Sequence, residues 1–471
     1  MGSPRTLRRA LALLAVGATA LAAGTVSTGT TGSVAAGTAT AGTAAGTAAG
    51  APGANPAAGV RVRPASAGHV NAAGRTAPLS TSECVSQLGL HCYSPLQYRE
   101  AYNLNPLYKE GVTGKGRTIV IVDSFGSPTI QHDLEVFDKQ WGIPDTQVEI
   151  MKWGNVPPFD PTNPDHTGWA GESTLDVEYA HAVAPDAHII LVETGVAETE
   201  GTTGLPEMMD AEQALIRSGR ADVISQSFGA TENTFPGYDK GDFHSLTDLR
   251  YAFKEAAAHN VTVLASSGDN GATDAKENGT DLYPYKVNSW PSSDPLVTSI
   301  GGTQLTLDDT GKRTAPDKVW HDAYGAGGGG VSGVFDRPWY QTGVANVTGN
   351  HRGTPDISMS AAVDGGAWTY ESYDPTRVGW HLTGGTSEAA PIFSGVVALA
   401  DQLAGYRLGQ LNWRLYGLNL LPNQWSGITD VTTGDNSWDT VTGYQAAKGY
   451  DLASGLGTID ATRFVHALAG R

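Results

Sequence analysis

The chain is poor in cationic charge, in cysteine and in long apolar runs. It carries 30 Lys and Arg against 48 Asp and Glu, a formal net charge of −18. A nucleic-acid-binding protein needs a basic face, and no stretch supplies one. Charged residues make up only 17% of the 471 positions, below the roughly 25% of ordinary globular chains. Cys84 and Cys92 are the only cysteines. Two thiolates cannot close a structural zinc site, and no His pair at the required spacing stands beside them. A membrane span needs about 20 consecutive apolar residues, and only the N-terminus approaches such a run. Disorder throughout is excluded by what is abundant: 11 Trp, 17 Tyr and 10 Phe within a 40% hydrophobic chain give ample surface to bury.

The N-terminus reads as an export signal over residues 1–24. Arg5, Arg8 and Arg9 form a positive head, an apolar stretch follows from Ala10 to about Ala23, and Ala20-Leu21-Ala22 offers a small-x-small cleavage site. Secretion to the extracellular space follows, with no membrane association once the signal is removed. Residues 25–80 are a Gly/Ala/Thr tract without apolar periodicity, expected to be a low-complexity linker. The compact domain is expected over 81–471. In an exported chain Cys84 and Cys92, eight apart, are expected to form a disulfide.

Strand and helix signals alternate within that domain. Arg117–Asp123, Ala187–Val192, Asp222–Ser227 and Val261–Ala265 are near-continuous β-branched or apolar runs, the pattern of strands buried on both faces. Helical stretches lie between them, at Gln131–Gln140, Glu172–Ala182, Glu207–Ser218 and Ser245–His259. The alternation predicts an α/β fold with a parallel sheet and helices on both faces. Functional groups then belong at the carboxyl ends of the strands.

Three segments carry chemistry. Thr383-Gly384-Gly385-Thr386-Ser387-Glu388-Ala389-Ala390-Pro391 reads as a loop entering a helix with Ser387 in its first turn, where backbone N–H groups lend positive potential. It is not the Gly-x-Ser-x-Gly elbow of α/β-hydrolases, because Ala389 stands where the second Gly belongs. In the segment Gly171–His181, Glu172 and Asp176 are four apart and share a helix face. Paired carboxyls push one pKa up and let a proton be shared, which suits a group acting first as base and then as acid. Val261–Ala265 runs out through Ser266-Ser267-Gly268 to Asp269 at a strand end. Read singly, each has an ordinary structural explanation: a helix cap, a solvated acidic face, a turn.

Together, and in this order, they resemble the sedolisin or serine-carboxyl peptidase family, which has a subtilisin-like fold. The resemblance spans residues 92–470. It includes Val223–Gly229, the run Gly327–Gly330 before Arg337-Pro338, and Arg352-Gly353-Thr354-Pro355-Asp356. It implies Ser387 as the acylated nucleophile, Glu172 as general base and acid, Asp176 as its orienting partner, and Asp269 as an oxyanion donor. An ionised Asp269 would repel the oxyanion, so it must be protonated, and activity at acid pH follows. Ser227, Phe228 and Gly229 are expected to pair with an extended polypeptide substrate. The resemblance further implies a calcium cofactor held by Asp430, Val431, Ala447, Gly449 and Asp451, with hard oxygen ligands. The family usually has Gly where Ala447 stands, so the site requires backbone angles there that suit Ala. The family also commonly carries a large folded pro-domain, which the tract at 25–80 cannot be. A monomer is expected.

Two other readings exist. A His-dependent subtilisin-like protease would use Asp123 at a strand end, but it needs His where Glu172 stands, and His181 lies nine residues further on. An inactive secreted binding protein on the same scaffold would explain the fold, but all four proposed catalytic residues are present.

Overall fold

The computed structural model describes residues 63–64, 68–70, 76–196 and 204–471. The expected export signal, 1–24, lies outside the described residues, as does most of the expected linker.

The helices that matter here are α1 (Thr81–Leu88), α2 (Pro95–Ala101), α3 (Asn105–Lys109), α4 (Ile130–Trp141), α5 (Pro164–Val183), α6 (Gly204–Arg217), α7 (His244–Thr247), α8 (Tyr251–Ala258), α9 (Ala345–Thr348) and α10 (Thr386–Ala404). Strands β1 (Arg63–Pro64) and β2 (Gly68–Val70) precede them, and β3 is Cys92–Tyr93. The main sheet is built from β4 (Thr118–Ser124), β5 (Glu149–Trp153), β6 (His188–Thr194), β7 (Val223–Gln226), β9 (Thr262–Ser266), β11 (Thr298–Gln304) and β12 (Lys318–Val319), in the order β12-β11-β9-β7-β4-β6-β5. All its neighbours are parallel except the β11–β12 pair. Strand β15 (Ile357–Ser360) adds to β11 in parallel.

The near-continuous apolar strands serve two cores at once. Ile119, Ile121, Ile189, Leu191 and Leu264 join α5 and α10 on one face. Val120, Val122, Ile190, Val192 and Val263 join α6 and α8 on the other. This is the predicted parallel sheet with helices on both faces.

Smaller sheets flank it. Strand β8 (Phe228–Thr231) lies between β1 and β10 (Ser289–Trp290). Strands β13 (Gly330–Asp336) and β14 (His351–Thr354) pair antiparallel. A four-stranded sheet has the order β2-β17-β16-β3, with β16 spanning Gly366–Glu371 and β17 Gly379–Gly384. Arg352 in β14 and Asp356 just after it, both fully buried, form an ion pair. Asp356 also accepts from Ser299 N, which ties this turn to β11. The Cys84–Cys92 disulfide joins α1 to β3.

Two features position the site. Helix α5 starts two turns earlier than expected, because Asn163 caps it by accepting from Asp165 N and Pro164 occupies its first turn. Helix α10 crosses α5 closely: a Cβ at Gly395 would lie 2.6 Å from Val183 Cβ. Short strands β1 and β2 fall inside the stretch expected to be linker. Ladder pairing is made by backbone groups, and segments of two and three residues are too short to show apolar periodicity.

Candidate functional site

From Trp169 to Val183 every residue of α5 is buried. The helix is central, and its carboxylates are desolvated rather than spread on a solvated face. Glu172 and Asp176 are both fully buried. Asp123, at the end of β4, is fully buried beside them. Burial raises the Asp176 carboxyl well above its ordinary value, and the charges of Asp123 and then Glu172 push it further. Burial likewise pushes Asp123 up to about 7, offset in part by the Ser173 hydroxyl.

Ser387 stands in the first turn of α10 and is fully buried. Gly385 caps that helix at φ +125, a backbone region that favours glycine. Pro391, four residues on, has no amide to offer the Ser387 carbonyl. Ser227, between β7 and β8, links the two helices. Its hydroxyl donates to Asp176 Oδ1 at 2.9 Å, and its carbonyl accepts from Ser387 Oγ at 3.5 Å.

Half-buried Asp269 follows the end of β9 and lies against the start of α10. Its Oδ1 accepts from Thr386 N at 2.8 Å and Thr386 Oγ1 at 2.9 Å. Thr386 Oγ1 in turn accepts from Gly268 N at 3.0 Å. The glycine run packs behind this strand end: Ser267 Oγ donates to the Gly328 carbonyl at 2.7 Å, and Gly328 N donates to the Gly268 carbonyl at 2.7 Å.

Sequence reasoning placed Ser387, Asp269, Glu172 and Asp176 on the elements that carry them here. It assigned Asp123 only to a His-dependent alternative. The signal for its actual place, an acid closing a β-branched strand, was visible. Ser227 was expected to act through its backbone, and its hydroxyl bond to Asp176 had no sequence signature. His181 faces the other end of α5, 3.2 Å from Asp138 and 3.0 Å from the Pro144 carbonyl.

The substrate-strand residues divide their roles. The Phe228 side chain is fully buried, packed against Trp169, so only its backbone can meet a ligand. That backbone does pair with an extended segment: Arg63 and Pro64 lie antiparallel to Gly229 and Phe228. Further along, Gly68, His69 and Val70 pair antiparallel with Gly384, Thr383 and Leu382.

The residues expected around calcium converge in one loop cluster. Asp430 Oδ2 accepts from Gly449 N at 2.9 Å, and Asp451 Oδ2 from Ala447 N at 2.8 Å. Ser454 Oγ joins Asp451 Oδ1 at 3.1 Å to the Val431 carbonyl at 3.4 Å. Ala447 is not among the residues with positive φ, whereas Gly449 has φ +84. Alanine is therefore accommodated at 447. Among the described residues no three His, Cys, Asp or Glu form a metal-binding group, so a cation here would draw on backbone carbonyls as well as the two carboxylates.

A parallel α/β sheet of this topology, a serine at a helix N-terminus beside a strand-end acid, and buried carboxyls on a central helix define a subtilisin-like architecture. The subtilase family model matches residues 163–415. Kumamolisin from Bacillus sp. (strain MN-32) is 31% identical over 389 residues, covering 80% of this chain and 63% of that protein. Tripeptidyl-peptidase sed4 from Aspergillus fumigatus is 29% identical over 422 residues, covering 77% and 64%. A solved structure of Pseudomonas sedolisin, a serine-carboxyl proteinase complexed with two molecules of pseudo-iodotyrostatin, superposes with a TM-score of 0.68 at 26% identity, covering 81% of this chain and 99% of that one. The chain belongs to the subtilase family, in its sedolisin group. It spans a little under two thirds of the length of the two curated relatives. No helix among the described residues is long and apolar enough to cross a membrane.

Proposed function

We propose that the protein is a secreted serine-carboxyl peptidase that hydrolyses polypeptides at acid pH. The observation that carries the reading is Ser227, bonded through its hydroxyl to Asp176 and through its carbonyl to Ser387, with Glu172 buried one turn from Asp176.

In this reading Ser387 Oγ attacks the scissile carbonyl carbon while Glu172 takes its proton. The C–N bond breaks as Glu172 returns that proton to the leaving amine. Water then attacks the acyl-enzyme, giving a proton to Glu172, and Ser387 Oγ recovers one as the ester breaks. Asp176 shares its proton with Glu172 and orients it, as the third member of a triad does. Asp269 Oδ1 is committed to Thr386, so the proton offered to the oxyanion belongs on Oδ2. Loss of one such donor costs about 3–4 kcal/mol of transition-state stabilisation. An extended substrate takes the place of β1 along β8.

Asp430 and Asp451 with the carbonyls of Val431, Ala447 and Gly449 would hold calcium, which supplies positive charge that draws these loops together. Digestion of an unfolded protein across about pH 3 to 7, where perturbed carboxyls titrate, tests the reading. Activity confined to the acid side and abolished in Ser387→Ala supports it, and equal digestion by Ser387→Ala overturns it. Fragment lengths separate internal cleavage from release of tripeptides.

A further inference from the structure

A cavity of about 290 Å³ lies between the first turns of α5 and the hairpin joining β16 to β17. Pro161, Pro164 and Gly168 form one wall, and Glu371, Tyr373, Asp374 and Arg377 the other. Gly168 is four residues before Glu172, on the same helix face and one turn of about 5.4 Å away. The cavity therefore adjoins the carboxyl pair of the candidate site.

The hydrogen bonds inside it are unevenly satisfied. Glu371 Oε2 accepts from the Tyr373 hydroxyl at 2.6 Å and Oε1 from Thr369 Oγ1 at 3.2 Å. Asp374 Oδ1 accepts from Thr376 N and Oγ1 at 2.8 and 2.7 Å. Arg377 is held by its backbone: its N donates to the Asp374 carbonyl at 2.9 Å, and its carbonyl lies 2.7 Å from His381 Nε2. The guanidinium forms no ion pair with any described residue, and its buried Nε has no acceptor. The wall thus offers the unused Arg377 Nε, with the Asp374 carboxylate near enough for the guanidinium to favour its ionised form. A ligand completing it needs an acceptor for Arg377 placed away from Glu371 and Asp374, and the planar fork of an arginine matches a carboxylate.

Two described segments give the direction in which a peptide would reach this wall. Residues 63–64 run antiparallel along β8, and residues 68–70 run antiparallel along β17, from Gly384 toward Leu382. A peptide following this line passes Ser387 and continues along β17 toward Gly379, where the hairpin begins. Its C-terminal portion, the part released as amine, heads for Arg377.

We infer that the α5–hairpin cavity is a subsite for a carboxylate on the leaving-group side of the cleft, with Arg377 as its specificity-determining residue. The carboxylate is an acidic side chain or the substrate's own C-terminus. This inference rests on the peptidase reading for the direction of the peptide, and its test is arranged so that the two fail separately.

The experiment measures binding to Ser387→Ala, and cleavage by the parent, at pH 5.5 with three peptide sets: acidic residues after the cleaved bond with an amidated end, neutral residues with a free C-terminus, and neutral residues with an amidated end. One or both carboxylate sets are expected to bind, and to be cleaved in kcat/KM, about tenfold better than the neutral amide, as a charge-assisted bidentate contact provides. Whichever set gains identifies the source of the carboxylate. In Arg377→Gln that advantage is expected to vanish while the neutral amide is handled as before. Equal binding of all three sets to Ser387→Ala overturns the inference, even where cleavage confirms the peptidase. So does an advantage that survives in Arg377→Gln, or a loss there that falls equally on the neutral peptide. Binding discrimination without cleavage by the parent keeps the subsite and removes the peptidase reading.

Discussion

The Ser227 hydroxyl donates to Asp176 at 2.9 Å, and this bond favours the ionised form of an acid that its surroundings otherwise keep protonated. In Ser227→Ala the Asp176 carboxyl rises further and its orientation loosens. The backbone that would receive a substrate is unchanged. The expected result is a fall of about tenfold in kcat, the worth of one buried hydrogen bond, with KM held. Steady-state kinetics on a peptide substrate check it, and a change confined to KM contradicts it.

Asp123 acts on the same acid through its charge. Its charge raises Asp176, so Asp123→Asn lowers the pH at which Asp176 ionises. The high-pH limb of the kcat/KM profile is then expected to move toward acid. An unmoved limb would show that Asp123 does not face the pair while it works.

Glu388 is fully buried next to Ser387, and burial pushes its carboxyl up to about 8, with Tyr98 and Ser360 as partly compensating donors. Glu212 is likewise pushed up to about 8, and Glu232 and Asp401 to about 7. The unfolded chain ionises each near 4.5 or below, so it gives up these protons first as pH rises. The stability they contribute is complete below that pH and is lost as pH climbs through 7 to 8. Calorimetry should find a higher thermal midpoint at pH 4.5 than at pH 7.5. Glu388→Gln removes its share of the loss, at most about 5 kcal/mol at pH 8. A midpoint that rises toward neutrality in the parent would refute the account.

Calcium at the 430–451 cluster should appear as stability. Adding the ion at about 100 times its dissociation constant contributes about 2.7 kcal/mol. A chelator is expected to lower the thermal midpoint, and Asp451→Asn to abolish the response to added calcium. A midpoint indifferent to both would remove the site.

Strands β1 and β2 pair with β8 and β17, the backbone edges that an extended substrate would use in the proposed reading. A chain starting at residue 76 should show a KM several-fold below that of the full sequence, measured on one peptide under matched conditions. Equal values would mean that the two strands do not compete with substrate.

Much of this was legible because the parallel sheet is buried on both faces, which leaves apolar runs at 118–124 and 188–194 too dense to misread. The boundaries were less so. Helix α5 begins at Pro164 rather than near Glu172, because Asn163 and Pro164 supply the cap ahead of the acidic segment. The helix expected over Ser245–His259 is broken into α7, a 3-10 turn at Asp248–Arg250 and α8. Strands β16 and β17, which carry the hairpin to Arg377, are not among the strands the sequence predicts. Their runs contain Gly, Thr and His and mark no two-sided core. Residue types revealed the candidate nucleophile and its acids. The Ser227 hydroxyl bond depends on where β7 ends relative to α5, which only tertiary packing sets.

The close crossing at Gly395 and Val183 means that the proposed acid and nucleophile ride on two rods whose spacing is decided deep in the interior. A methyl group added at that crossing would touch neither cleft nor solvent, yet it would pry the reacting groups apart. Under the proposed mechanism, rate is therefore exposed to substitutions that no survey of the cleft would flag.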